Sequence, residues 1–164
     1  MELIILMKRF YSMKVSLKLA VVFLSGLWLI GGCNSYKVRS LPYDKELKDV
    51  VVIKNQKVIV SDFLDVMIDE FNARSIKVRL APLNYNPTPH EYVIQYDARQ
   101  SWDLSPYLSD ATIRVMKDNM TKANGKYHHI GGSCSFDIFT KWRGTEWKMK
   151  DIYDELLKNY PKTL

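Results

Sequence analysis

The sequence predicts a two-layer α+β domain: a four-stranded, largely antiparallel sheet carrying two helices on one face, in the order β-α-β-β-β-α. Three observations predict it. Stretches between 76 and 130 alternate apolar and polar residues, the pattern of half-buried strands. Two segments, 61–71 and 145–160, instead repeat their apolar residues at helical spacing. The β-branched run Val50-Val51-Val52-Ile53 does not alternate, so it reads as a strand buried on both faces.

The elements follow in order. After the Val50–Ile53 strand, Ser61 is the expected N-cap of a helix whose stripe is Phe63, Leu64, Met67, Ile68 and Phe71. Asp62, Asp65 and Asp69 form its solvated side. Residues 72–75 close that helix, and a strand over 76–80 turns Ile76, Val78 and Leu80 inward. Pro82, Pro87 and Pro89 mark a stiff loop. Tyr92, Ile94, Tyr96 and Ala98 share one face of the next strand, and the stretch from Trp102 to Pro106 turns the chain. Ala111, Ile113 and Val115 point inward from the strand over 107–116.

Asp118-Asn119 is the expected hairpin turn before a last strand over 120–130, with Asn124-Gly125 as the competing turn. If the first holds, Gly125 marks a bulge or a close backbone approach. Thr145 is expected to cap the final helix, with Met149, Ile152, Tyr153, Leu156 and Tyr160 as its stripe and Pro161 as its end. A right-handed crossover makes the first two strands parallel, and hairpins add the others antiparallel. The sheet face away from the helices then needs polar residues or a partner.

The chain has 164 residues, and its formal charge of +6 hints at a nucleic-acid binder. That charge is unevenly placed. Residues 1–32 hold Lys8, Arg9, Lys14 and Lys18 against Glu2, so half of the excess lies in the first fifth of the chain. A 12-residue apolar run, Leu19–Ile30, follows the basic part, too short for the roughly 20 residues of a membrane span. Basic head, apolar stretch and small residues are the three parts of an export signal. With the signal removed no nucleic-acid partner is expected.

Ile30-Gly31-Gly32-Cys33 resembles the lipobox of bacterial lipoproteins. The resemblance implies cleavage before Cys33, a diacylglyceryl thioether on its sulfur and a palmitoylated amino terminus, hence a membrane partner. Asn34 at the next position, in place of Asp, permits transport to the outer membrane, where the domain is expected to face the periplasm. Residues 1–32 are thus a signal peptide, 33–47 the lipidated cysteine and a tether without periodicity, and 48–164 one α+β domain. Trp102-Asp103-Leu104 with Tyr107, Ala111, Ile113 and Val115 forms a second segment of resemblance. Phe139, Trp142, Gly144-Thr145-Glu146, Lys148-Met149 and Asp154-Glu155-Leu156 form a third. Together these resemble a family of small uncharacterised proteobacterial lipoproteins. Gln100 and Pro106 depart from that pattern, and the family brings no catalytic residues.

No catalytic constellation assembles from the sequence, and neither a cofactor nor a metal is expected. His128 and His129 are neighbours on a strand and point to opposite faces, and neither Cys134 nor His90 has paired-ligand spacing with them. The candidate binding residues are Trp102, Trp142 and Trp147, which sit at loops where aromatic faces can stack on a glycan or anchor a protein. Lys141, Arg143, Lys148, Lys150 and Lys158 make that end basic. The expected function is that of a non-catalytic envelope lipoprotein, a binding or assembly module. The alternative is a cell-wall-glycan or lipid-binding module in the periplasm.

Overall fold

The computed structural model describes residues 34–130 and 140–163. The expected export signal over 1–32, Cys33 and Cys134 lie outside the described residues. The elements are β1 (Asn34–Arg39), β2 (Asp49–Ile53), α1 (Phe63–Asn72), β3 (Lys77–Ala81), β4 (Tyr92–Asp103), β5 (Ser105–Lys117), β6 (Met120–His129) and α2 (Thr145–Leu156).

The class is as expected, a mixed α+β fold, but the sheet has six strands in the order β1-β6-β5-β4-β2-β3. The expected count of four is corrected in two ways. The five extended segments read from the sequence each form a strand, and residues 34–39 add a sixth.

That sixth strand corrects the expected tether. Asn34–Arg39 pairs antiparallel with β6 over its whole length. Leu41 is fully buried, with its N–H donating to the Leu156 carbonyl at 2.8 Å, and Leu47 is buried too. Residues 34–47 are therefore part of the domain. The reading missed them because Tyr36 and Val38 alone face the helix side, and two residues make no visible period.

Asp44 pins this segment. Its carboxylate accepts the Tyr92 hydroxyl at 2.7 Å and the Lys117 ammonium at 3.0 Å. The Glu46 N–H, the Tyr92 hydroxyl and Lys117 hold its pKa at about 2. Burial and the Asp44 charge push the Tyr92 hydroxyl up to about 12. A carboxylate depressed in this way stabilises the fold fully above its ordinary pKa of about 4, and the contribution disappears as pH falls through about 2. Since the group keeps some contact with water, Asp44→Asn should cost about 1 kcal/mol at neutral pH. Urea denaturation should show that gap closing toward pH 2; a gap independent of pH would reject this role for the charge.

β2 and β3 are parallel, joined through α1, as expected. β4 does not add to β3 by a hairpin; it lies on the other side of β2, parallel to it, with Val51 opposite Val93. Lys77 and Arg79 suit β3 to an edge, whereas Val51 and Val93 bury each other at the centre. As an edge residue Leu80 is exposed, against the expectation that it turns inward.

The β5–β6 turn is Asp118-Asn119. Both residues have positive φ, 52° and 60°, as a two-residue turn of the twist-compatible kind requires. Gly125 is the close approach: a Cβ there would lie 2.6 Å from Ile152 Cγ2 of α2.

α1 and α2 cover one sheet face, and the core lies between. Phe63, Met67 and Phe71 of α1 and Met149, Ile152, Tyr153 and Leu156 of α2 are all fully buried, as their spacing predicted. Both helix starts differ by one residue from expectation. Asp62 is the N-cap of α1 and Gly144 that of α2. Thr145 instead donates its hydroxyl to Asp62 at 2.7 Å, which ties the two helix starts together.

Candidate functional site

The face away from the helices is the open one. Strand alternation and register place Lys37 and Arg39 of β1, Lys126 and His128 of β6, Arg114 of β5 and Asp97 of β4 on it, all exposed. This half of the face is polar and largely basic. Toward β2 it becomes apolar, through Val51, Ile53, Val93 and Met116.

Two adjoining grooves occupy the junction and share Ile53, Leu83 and Gln95. One, of about 540 Å³, is walled by Lys57, Asp97, Thr112 and Arg114. The other, of about 500 Å³, runs under the 82–91 loop between Tyr85, Pro87, Val93 and Met116. Glu91 fixes that loop, accepting Arg79 at 2.7 Å, the Tyr85 hydroxyl at 2.8 Å and the Thr88 N–H at 3.2 Å. Burial alone would raise the Glu91 pKa, but the bonds from Tyr85, Arg79 and Thr88 hold it below the usual range. The loop therefore keeps its charge and its position together.

The tryptophans lie elsewhere. Trp102 sits beside the β4–β5 turn and is 75% exposed. Trp142 joins the same hairpin, its indole N–H donating to the Asp103 carbonyl at 3.0 Å, while Lys141 pairs with the Asp103 carboxylate. Trp147, in the first turn of α2, carries the Arg143 guanidinium over its ring at 5.1 Å. The structure thus bonds Trp142 to the residue next to Trp102 but puts no tryptophan in either groove.

The expected basic patch is mostly compensated. Lys148 is buried and donates to the Leu108 carbonyl at 3.0 Å, Lys150 pairs with Asp154 and Lys158 with Glu155. The histidines diverge as their strand positions required. His128 is exposed and bonded to Asp110 at 2.7 Å, while His129 is buried with its ring edge-on to Tyr107. His90 meets Asp118 at the opposite end of β5. Among the described residues no three His, Cys, Asp or Glu side chains are placed to hold a metal ion.

Gln95, Thr112 and Arg114 were not singled out from the sequence. The signal that leads to them is the Val50–Ile53 run. A strand apolar on both faces implies cover on the second face, and Ile53 at its end, with Leu83, supplies one wall of that site.

No protein-family model matches the chain, and neither does any curated protein. Solved structures resemble it distantly. A dodecamer of a point-substituted PelC from Paraburkholderia phytofirmans is 14% identical, covering 80% of this chain and 99% of its own, with a TM-score of 0.49. A second PelC dodecamer from that organism is 15% identical over 73% and 98%, with a TM-score of 0.45. A minor lipoprotein from Acinetobacter baumannii is 9% identical over 71% and 98%, with a TM-score of 0.35. Likeness at this level does not carry a function across.

Proposed function

We propose that this chain is a lipid-anchored lipoprotein of the bacterial envelope, held at the outer membrane and facing the periplasm. It binds a protein partner through the open sheet face and catalyses no reaction on it. The observation that carries the reading is the pair of adjoining grooves on that face, apolar at Ile53, Leu83 and Val93 and rimmed by Lys57, Asp97 and Arg114. An apolar floor within a charged rim is the usual anatomy of a protein-binding surface. The alternative, a glycan-binding module, calls for tryptophan faces in a groove, and neither groove has one.

Photo-crosslinkers placed at Gln95 and Thr112 should capture one discrete envelope protein, and one at the exposed Asp151 of α2 should not. Equal capture at all three positions would reject the open face as the binding surface. The anchor is checked separately. Cells fed labelled palmitate should incorporate the label into this chain, and Cys33→Ser should abolish it; label retained by Cys33→Ser would sink the anchor.

A further inference from the structure

The β4–β5 hairpin outruns the sheet. β6 pairs with β5 only from Asp110 to Lys117, and β2 pairs with β4 only at Val93 and Ile94. Beyond Arg99 and Asp110, among the described residues, the two strands pair only with each other, down to Asp103 opposite Ser105. A bulge at Arg99/Gln100 bends this two-stranded ribbon.

The tip presents two large apolar side chains, on either side of Asp103, where a solvated turn would be polar. Trp102 is 75% and Leu104 85% exposed, the two most exposed large apolar side chains among the described residues. Leu104 also holds a φ of 59°, a conformation that glycine or asparagine adopts at lower cost. Neither the core nor the turn geometry accounts for these side chains. Trp142 and Lys141 flank the tip through their bonds to Asp103, and Lys148 ties the base of the ribbon to α2 through the Leu108 carbonyl.

The chain enters the domain at this same end. Asn34 lies opposite His129, and His128 lies opposite Asp110, so the start of β1 and the base of the ribbon share one end of the sheet. The Asp118-Asn119 turn marks the other end. Asn34 is the residue directly after Cys33, and β1 begins there with no spacer. From Ser109 to Leu104 the ribbon extends about 17 Å further, at the rise of an antiparallel strand.

From this juxtaposition we infer that the β4–β5 tip is a second membrane contact. It docks on the surface of the bilayer that holds the acyl chains of Cys33. The inference rests on the lipid reading of Cys33 given above. A tryptophan suits the headgroup level, and a leucine at the turn suits the acyl boundary. Acyl chains already supply affinity. The tip therefore adds orientation: with two points of contact the strands stand up from the bilayer, and the open face looks along the membrane.

The test uses the mature protein, purified from membranes and reconstituted in vesicles of phosphatidylethanolamine with a minority of phosphatidylglycerol, the acyl chains brominated. In a chain carrying Trp142→Phe and Trp147→Phe, which leaves Trp102 as the one tryptophan after Cys33, emission from Trp102 should be quenched several-fold more strongly than by unbrominated lipid. Trp102→Phe in that background combined with Met120→Trp moves the indole to the opposite end of the sheet and should abolish the quenching. Unquenched Trp102, or equal quenching from position 120, would overturn the inference. Palmitate label present with Trp102 unquenched rejects the ribbon contact alone, whereas absence of label rejects the Cys33 reading and this one with it.

Discussion

Arg74→Ala is expected to destabilise the fold by about 3 kcal/mol, because it strands a carboxylate inside the protein. The Arg74 side chain is only 4% exposed. One guanidinium nitrogen donates to both the carboxylate and the carbonyl of Glu70, and the other donates to Asp154 of α2 at 2.8 Å. Glu70 is nearly buried, and Lys162 at 3.0 Å is the cation left to it once Arg74 is gone. Arg74 thus joins the end of α1 to α2 through charge. Removing both charges should be far milder than removing one. Glu70→Gln with Arg74→Met should return to within about 1 kcal/mol of the parent, since a well-packed neutral pair avoids the desolvation of both ions. Chemical denaturation of the three chains decides it. A loss below about 1 kcal/mol for Arg74→Ala would mean that water reaches Glu70 and relieves it.

Gly125→Ala carries the second large effect, about 2 kcal/mol, by overpacking the seam between β6 and α2. The added Cβ would stand 2.6 Å from Ile152 Cγ2, well inside contact distance, and Ile152 is itself fully buried. Ile152→Leu deletes the branch methyl that clashes. The double variant should therefore lose clearly less than the sum of the two single losses, and the shortfall measures the contact. Thermal unfolding of the four chains of the cycle is sufficient. Strict additivity would place the cost of Gly125→Ala somewhere other than Ile152.

These two effects mark the boundary of what could be read in advance. The Gly125 approach was legible: once Asp118-Asn119 takes the turn, a glycine inside a strand has few reasons other than a neighbour too close for a side chain. Arg74 was not legible. It falls in the segment that closes α1, and its acidic partner on α2 is 80 residues away. Glu70 lies next to the Asp62, Asp65 and Asp69 side of the helix and reads as one more solvated acid until α2 is packed beside it.

The candidate sites divide the same way. Exposure of Trp102 at a turn follows from Trp-Asp-Leu-Ser-Pro, but the bond that carries Trp142 to the same hairpin goes to the Asp103 carbonyl, 39 residues away in sequence. Lys148 looked like one cation of a basic patch and is a buried strut. The grooves were hidden because they form between β2, β4, β5 and a proline-rich loop, and no single segment shows a concavity.

Sequence by itself determined the faces of the elements. Periodicity of two or 3.6 states which side chains go inward, and Phe63 to Phe71, Tyr92 to Ala98 and Met149 to Leu156 all obey it. It also offered the hairpin turn at Asp118-Asn119, with Asn124-Gly125 in competition, and a stretch up to Cys33 that resembles an export and lipidation signal. Tertiary structure alone decided neighbours. Periodicity is a property of one segment, while pairing compares segments far apart, so it could not show that β4 joins β2 rather than β3. Nor could it show that residues 34–39 close the far edge of the sheet. That last pairing brings the start of the domain and the Trp102 tip to one end of the molecule, a relation between residues some 70 positions apart that exists only once the sheet is assembled.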